Sequence, residues 1–307
     1  MLEALLGAIL ISFAPVMVKL LPFQAAEIAA FRTFTGGLFL FLFLCFFYRR
    51  ELFFSLRRLS PLVMMFFSGT AFALDMYVWN LSVLSIGAGL ATVLANTQVF
   101  YMTAWGVVSK EERLDSVKLI SLVLGFLGLV LIARAQQQLT LQEDYLFGVG
   151  MGALAGLAYT GYMLFFRRAI QKLGRGVTPS LSMISLICGI WMIGLAVKNE
   201  GLTWGMLADI DGATWGKILF LGVGVHVGGW FFISRALQKL PPSLVGLSLL
   251  AQPLLASLWG YAFFGERFTK EQIGGIILTL LGIGAIHVDR YRTRRRGHGP
   301  RRKRAAP

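Results

Sequence analysis

Charge is scarce in this chain: Asp, Glu, Lys and Arg make up only 14% of its 307 residues, against about 25% in soluble domains. With 56% hydrophobic residues and a mean hydropathy of +0.70, its apolar surface is too large for one water-soluble core, so the chain reads as an integral membrane protein. Cysteine is nearly absent. Cys45 and Cys188 both fall inside apolar runs, which argues against a disulfide framework or a zinc site, and no metal or cofactor is expected. No glycine-rich phosphate loop ending in Gly-Lys-Ser/Thr is present, which argues against an ATP-driven pump. Long polar segments are missing too, leaving no room for a soluble domain.

What is present is a series of apolar runs. Ten can be read, at 3–21, 27–48, 61–84, 88–108, 117–134, 146–168, 178–198, 213–236, 243–263 and 270–288. Each suits a hydrocarbon slab about 30 Å thick at a helical rise of about 1.5 Å per residue. The first run lacks a positive leading region, carries Pro15 and Lys19, and leads straight into another run, so it reads as a retained helix rather than a secretory signal.

The net charge of +14 is unevenly placed. Counting from a cytoplasmic N-terminus, the inner segments hold Arg49, Arg50, Arg57 and Arg58; Lys110 and Arg113; Arg167, Arg168, Lys172 and Arg175; Arg235 and Lys239; and the basic tail Arg290 to Arg304. The opposite side holds Arg134, Lys198, Lys217, Arg267 and Lys270, with Glu143, Asp144, Glu200, Asp209 and Asp211 beside them. This bias puts both termini in the cytoplasm, with the chain in the plasma (cell inner) membrane. Tyr291 is the one Phe, Tyr or Trp in the tail, too little aromatic interleaving for a nucleic-acid arm, so contact with anionic lipid is expected and nucleic acid is not.

One block is written twice. Val78 to Leu114 can be laid without a gap on the stretch ending at Phe268, at the 154-residue offset that carries Glu112-Arg113 onto Glu266-Arg267. Leu90 then falls on Leu244, Gln98 on Gln252, Asp115 on Thr269 and Gly128 on Gly282. An odd number of spans per copy makes the second copy enter the bilayer from the other side. The fold expected is an all-α polytopic membrane protein, with ten transmembrane helices as two inverted five-helix repeats. The repeats cover residues 1–134 and 146–288, with an external linker at 135–145 and a basic cytoplasmic tail at 289–307. Spans one and two match six and seven poorly, Gly7-Ala8 against Gly152-Ala153 being the defensible pair.

Helix-start signals accompany the repeat. Ser60 before Pro61 predicts an N-cap, mirrored at Thr214; Asp115 caps the fifth span, Thr178-Pro179 opens the seventh, and Thr269 with Gln272 predicts a capping box. Gly148, Gly152 and Gly156 share one helix face, and Gly222, Gly224, Gly228 and Gly229 crowd another span, as close helix packing requires.

With Glu112-Arg113 and Glu266-Arg267 each closing an apolar hairpin, and Phe31-Arg32-Thr33 in span two, the chain resembles the drug/metabolite transporter superfamily, specifically its EamA-like members. The resemblance implies a ten-helix carrier of small metabolites working by alternating access, with a central cavity between the repeats and helices five and ten at the periphery. It departs from many relatives, which have proline in the middle of both the fourth and ninth spans, where Val99 stands opposite Pro253, so the two hairpins need not bend alike.

An ionisable group deep in a span costs about 2.5–3.5 kcal/mol on insertion scales, so it needs a partner or a wet cavity. Asp75 in span three and His226 in span eight are such groups, and Asp75 maps to Gly229, one turn from His226. Asp75, alone or with His226, is expected to bind a substrate amine or carry a coupling proton; a buried hydrogen bond from Asp75, with His226 capping a carbonyl, is the structural alternative. Trp79 and Ser82 share the Asp75 face. Polar stripes at Thr92, Asn96 and Thr103, and at Ser248, Gln252 and Trp259, are expected to face inward, while Tyr159, Tyr162 and Trp230 supply aromatic walls. Arg32 reads either as a counter-charge for an anionic cargo or as an ion-pair partner of Glu27 or Asp75, close enough to the outer boundary to snorkel. Lys19 is expected to anchor the outer end of span one.

The function these residues point to is secondary transport, as an exporter first, of a small metabolite such as an amino acid or organic cation, with proton coupling through Asp75. The partners expected are that small-molecule substrate and membrane lipids, for a monomer or weak homodimer. An intramembrane enzyme acting on lipid or isoprenoid is the alternative, but one Asp and one mid-span His are thin support for acid/base or metal chemistry. A channel or scaffold is a third reading.

Overall fold

Hydrocarbon offers the backbone no hydrogen-bond partners, so a spanning chain closes its own bonds in helices. The computed structural model describes residues 2–110, 116–134, 142–174, 177–239 and 251–297, and among these every regular element is helical. They are α1 (Leu2–Ser12), α2 (Ala14–Leu20), α3 (Ala25–Phe47), α4 (Arg49–Leu56), α5 (Leu59–Ile86), α6 (Ala88–Ala95), α7 (Gln98–Val108) and α8 (Ser116–Arg134). The second half holds α9 (Gln142–Leu173), α10 (Val177–Leu195) running into a π-helical turn (Ala196–Glu200), α11 (Trp204–Ala208), α12 (Gly212–Leu219) running through a π segment (Phe220–Gly228) into α13 (Gly229–Lys239), α14 (Ala251–Phe264) and α15 (Lys270–Gly297). Six stretches among the described residues are long and apolar enough to cross a membrane: Leu2–Leu20, Ala25–Phe47, Leu59–Ile86, Asp144–Leu173, Val177–Glu200 and Gly212–Ile233.

Several expectations need revision. The run at 88–108 is broken between α6 and α7 at Asn96 and Thr97, where the Thr97 amide turns back to the Leu94 carbonyl at 3.0 Å, so this hairpin bends without a proline. Pro253 lies in α14, but most of the expected 243–263 run precedes Ala251 and falls outside the described residues. Two short helices, α4 and α11, occupy what were expected to be plain connections. Helix α9 begins at Gln142, inside the expected 135–145 linker, whose earlier part lies outside the described residues, and α15 continues past 288 to Gly297.

Helix starts are fixed by carboxylates more than by the hydroxyls the sequence suggested. Arg58, not Ser60, is the residue before α5, and the Ser60 hydroxyl instead accepts from Lys172 Nζ at 2.7 Å. Asp211, not Thr214, caps α12, accepting the amides of Ala213 (2.8 Å) and Thr214 (3.0 Å). The Thr214 hydroxyl and amide hold the Asp211 carboxyl below the usual carboxylate range. At α3, Glu200 takes the amides of Ala26 (3.0 Å) and Glu27 (2.9 Å) from across the fold, while Glu27 accepts from the Gln24 amide at 2.8 Å. The expected box at Thr269 and Gln272 forms, with bonds of 2.9 and 3.2 Å. Asp115 and Glu112-Arg113 lie outside the described residues.

The helices pack in a pattern that survives exchange of the two halves. α5 packs on α9, and α1 on α13; α3 packs on α10, α6 on α14, and α8 on α15. Glycine contacts show the same exchange. A Cβ on Gly128 would stand 2.7 Å from the Gly275 carbonyl oxygen, and one on Gly282 2.7 Å from that of Ser121. A Cβ on Gly37 would meet Leu186 N at 2.8 Å, and one on Gly189 Phe34 N at 2.9 Å; one on Gly69 would meet Ile184 O at 3.0 Å, and one on Gly222 Arg32 O at 3.1 Å. Within α8/α15 and α3/α10 the residue numbers rise on one helix as they fall on the other, so these pairs run antiparallel. The offset is 152 from Gly37 to Gly189 and 153 from Gly69 to Gly222, against 154 from Val78 to Phe232. The last step is absorbed by the π segment Phe220–Gly228, whose wider turn accommodates an added residue within a continuous helix.

These contacts make a prediction. Gly69→Ala forces a Cβ to within 2.7 Å of the branched Ile187 Cβ, whereas Gly150 has nothing within 4 Å. Gly69→Ala should therefore destabilise by about 1–3 kcal/mol and Gly150→Ala should not, as read by thermal unfolding in detergent; equal melting temperatures for the two variants would contradict this packing.

Candidate functional site

Helices α3, α5, α9 and α10 converge with the π segment and α13 on a buried polar cluster. Arg32 lies in the second turn of α3, about 10 Å along its axis from Ala25, and is 5% exposed. It does not snorkel to the outer boundary, because α5 covers it: its guanidinium carbon stands 5.5 Å from the Trp79 ring centroid. Nor does it pair with Glu27, whose carboxylate is engaged at the start of α3. Asp75, on the middle of α5, is 2% exposed, and Arg32 is the opposite charge whose field acts on it. The two are not joined by a direct ion pair; Asp75 Oδ2 and Arg32 Nε are both buried without a hydrogen-bond partner.

His226 is fully buried in the π segment, with Nε2 3.0 Å from Ser185 Oγ and Nδ1 unpartnered. Its ring stacks on Phe72 at 5.8 Å, and these two residues are equivalent at the 154 offset. Phe72 also stacks on Tyr162 at 4.5 Å, and Tyr162 meets Tyr159 (5.3 Å) and Trp230 (5.9 Å) edge-on. The Tyr162 hydroxyl is buried and unpartnered. Asp75 and His226 thus belong to one cluster with Arg32 and the Phe72–Tyr162 stack, and no hydrogen bond or ion pair joins the two directly.

Of the residues singled out in the sequence, Asp75, Trp79, Tyr159, His226 and Trp230 come together here. Asn96 and Gln252 do not join by any hydrogen bond: Asn96 donates to the Thr92 carbonyl of its own helix at 2.8 Å, and Gln252 lies at the start of α14, which packs on α6. Ser82 bonds the Gly148 carbonyl at 2.8 Å, and Trp259 donates to Ser12 Oγ at 3.0 Å, so both serve helix packing. Ser248 lies outside the described residues, as do the side chain of Thr103 and those of the basic tail. Sequence reasoning did not reach Ser185 or Phe72; the charge of Arg32 inside an apolar run was the available signal for the centre of the cluster.

Ion pairs tie the first two helices to the second half at either end. Lys19 on α2 donates to Glu266 Oε1 at 2.8 Å, and the same oxygen accepts the Ala88 amide at 3.1 Å at the start of α6. This requires Gly87, with φ of 89° and no room for a Cβ beside that carboxylate. At the other end Glu3 on α1 accepts from Arg235 Nε on α13 at 3.0 Å.

The family model for EamA-like transporters matches residues 1–134 and 146–287. The chain belongs to that family. It is a multi-pass membrane transporter by family, which disfavours the intramembrane-enzyme reading. An uncharacterised transporter of Archaeoglobus fulgidus is 23% identical over 208 residues, 66% of this chain and 69% of that one. An uncharacterised Bacillus subtilis transporter, YwfM, is 26% identical over 64% of this chain and 61% of its own length. A Salmonella typhimurium protein named as a probable amino-acid metabolite efflux pump is 23% identical over 249 residues, 80% of this chain and 82% of that one. A solved crystal structure superposes with a TM-score of 0.63 over 95% of this chain and 97% of that one at 15% identity, a likeness of fold.

The cluster predicts energetic coupling. Arg32→Met should leave Asp75 facing no opposite charge, and Asp75→Leu the converse, so each single variant should lose stability while Arg32→Met/Asp75→Leu recovers about 0.5–3 kcal/mol relative to the sum. Thermal unfolding of the four proteins measures this; strict additivity would mean that the two charges do not sense each other.

Proposed function

We propose that the chain is a secondary transporter of ten membrane-spanning helices in two inverted five-helix repeats, 1–134 and 146–288. It exports a small zwitterion such as an amino acid across the cytoplasmic membrane by alternating access. The observation that carries the cargo reading is the pair of buried, opposite and separately unpartnered charges, Arg32 and Asp75, beside the aromatic surfaces of Trp79, Tyr159 and Tyr162. A guanidinium takes a carboxylate, a carboxylate takes an ammonium, and the aromatic faces take the side chain and the cation. An organic cation would meet the repulsion of Arg32 as well as the attraction of Asp75, so the zwitterion fits better.

The exchangeable, antiparallel glycine contacts and the two family-matched stretches support the inverted repeat. The positive-inside charge bias supports cytoplasmic termini, and the efflux-pump relative supports export. The ion pairs Lys19–Glu266 and Glu3–Arg235, at opposite ends of the first helical run, supply contacts that rocking of the repeats would break and remake.

Proteoliposome counterflow tests the reading. Saturable amino-acid flux is expected in the native protein. Arg32→Gln should lower it about tenfold or more while sparing the corresponding decarboxylated amine, and Asp75→Asn should lower both and flatten the pH dependence of flux. Unchanged amino-acid flux in both variants would remove the two charges from the cargo site.

A further inference from the structure

Helix α4 (Arg49–Leu56) lies between the two long helices α3 and α5, at the end of the molecule assigned to the cytoplasm. Its inner side is seated, with Leu52 2% exposed and Ser55 fully buried. Its outer side, with the residues that follow, frames an open cavity of about 660 Å³ lined by Arg49, Arg50, Phe53, Phe54, Arg57 and Arg58. Four arginines therefore line one volume, with no acidic residue among its lining residues. Among the described residues none of the four forms an ion pair; Arg58 rests over the Phe54 ring at 4.3 Å.

The surroundings of this cavity are apolar. Phe46 is 79% exposed, Phe47 72%, Phe53 51% and Leu59 76%, so bulky side chains flank the arginines at the level where a helix leaves the bilayer. Exposed rings beside unpaired cations match the boundary between headgroups and acyl chains, and a planar guanidinium grips phosphate oxygens two at a time. A soluble anion would use the cations and leave the rings idle.

We propose that this cavity binds the phosphodiester headgroup of an anionic phospholipid of the inner leaflet, with Arg49, Arg50, Arg57 and Arg58 holding the phosphate and Phe53 and its exposed neighbours contacting the glycerol and upper acyl chain. The site is separate from the Arg32–Asp75 cluster. A lipid bound here fixes α4 against the membrane surface and so pins the connection between α3, which carries Arg32, and α5, which carries Asp75.

The test uses the full chain, delipidated in detergent, with native mass spectrometry and thermal unfolding as readouts, and phosphatidylglycerol, phosphatidylcholine and inorganic phosphate as probes. The decisive variant replaces all four arginines by lysine, which keeps the topology-setting charge but removes the two-pronged grip. The native chain should retain phosphatidylglycerol at least tenfold better than phosphatidylcholine, and the lysine variant should lose at least threefold of that preference. A control replacing Arg301, Arg302, Lys303 and Arg304 by glutamine should keep it. An undiminished preference in the lysine variant, loss of preference in the tail control, or stabilisation by inorganic phosphate equal to that by phosphatidylglycerol would each overturn the proposal.

Discussion

The arrangement turns on two opposite charges held deep in an apolar molecule without being joined to each other. Each of Arg32 and Asp75 alone would cost about 2.5–3.5 kcal/mol at the centre of a spanning helix, and a direct ion pair or a hydrophobic replacement would relieve that cost. Neither solution is present. Arg32 Nε and Asp75 Oδ2 are buried and unpartnered; each lies in the field of the other, and Arg32 also lies over the ring of Trp79. Stability by itself gives no reason to keep such a pair, whereas a ligand carrying both complementary charges satisfies the two groups at once.

The rest of the fold follows from holding those charges on helices that pack closely. Gly36, Gly37 and Gly189 bring α3 against the π segment and α10, and Gly69 brings α5 against α10, in each case leaving no space for a Cβ. Small residues at these contacts let the helix backbones approach closely. Bonds that would otherwise be left open at helix starts are closed from elsewhere in the molecule, as Glu200 does for α3 and Glu266 for α6. Each of these carboxylates ties the start of a helix in the first half to residues of the second, so the helix ends report on how the halves sit together.

The membrane-length helices were legible in the sequence because membrane burial writes itself in long apolar runs, and the Glu-Arg steps and glycines carried the 154-residue offset read there. The correspondence of α3 with α10 was not legible: apart from the pair Gly37 and Gly189, residues related by 152 positions have diverged, with Arg32 against Ile184. Asp75 and His226 stood out because ionisable groups are rare at mid-span. Arg32 was read as peripheral because its run was taken to begin at an accessible boundary, and only its cover by α5 shows otherwise. Ser185 gave no signal, since hydroxyls are ordinary in packed membrane helices. Asn96 looked like a cavity residue for its amide, but that amide bonds back to Thr92 where α6 ends, the commoner use of a polar side chain at a helix break.

The scaffold is nearly symmetric, and the cluster is not. Both charges come from the first half, on α3 and α5, while their counterparts at the 152 and 154 offsets are Ile184 and Gly229. The second half contributes the neutral side of the cluster: His226 bonded to Ser185, and Trp230 against Tyr162. The pseudo-equivalent residues Phe72 and His226 stack on each other, so the departure from symmetry begins where the halves meet. The one-residue excess that separates the offsets is absorbed in the π segment that carries His226. A fully symmetric site would bind a charged group equally well in two orientations related by the pseudo-axis. With both charges on one side and an aromatic, hydrogen-bonding surface on the other, the zwitterion proposed as cargo would have one orientation in which carboxylate, ammonium and side chain all meet complementary groups. On the proposed reading, a transporter rocking about a near-symmetric axis would hold its cargo in a single pose.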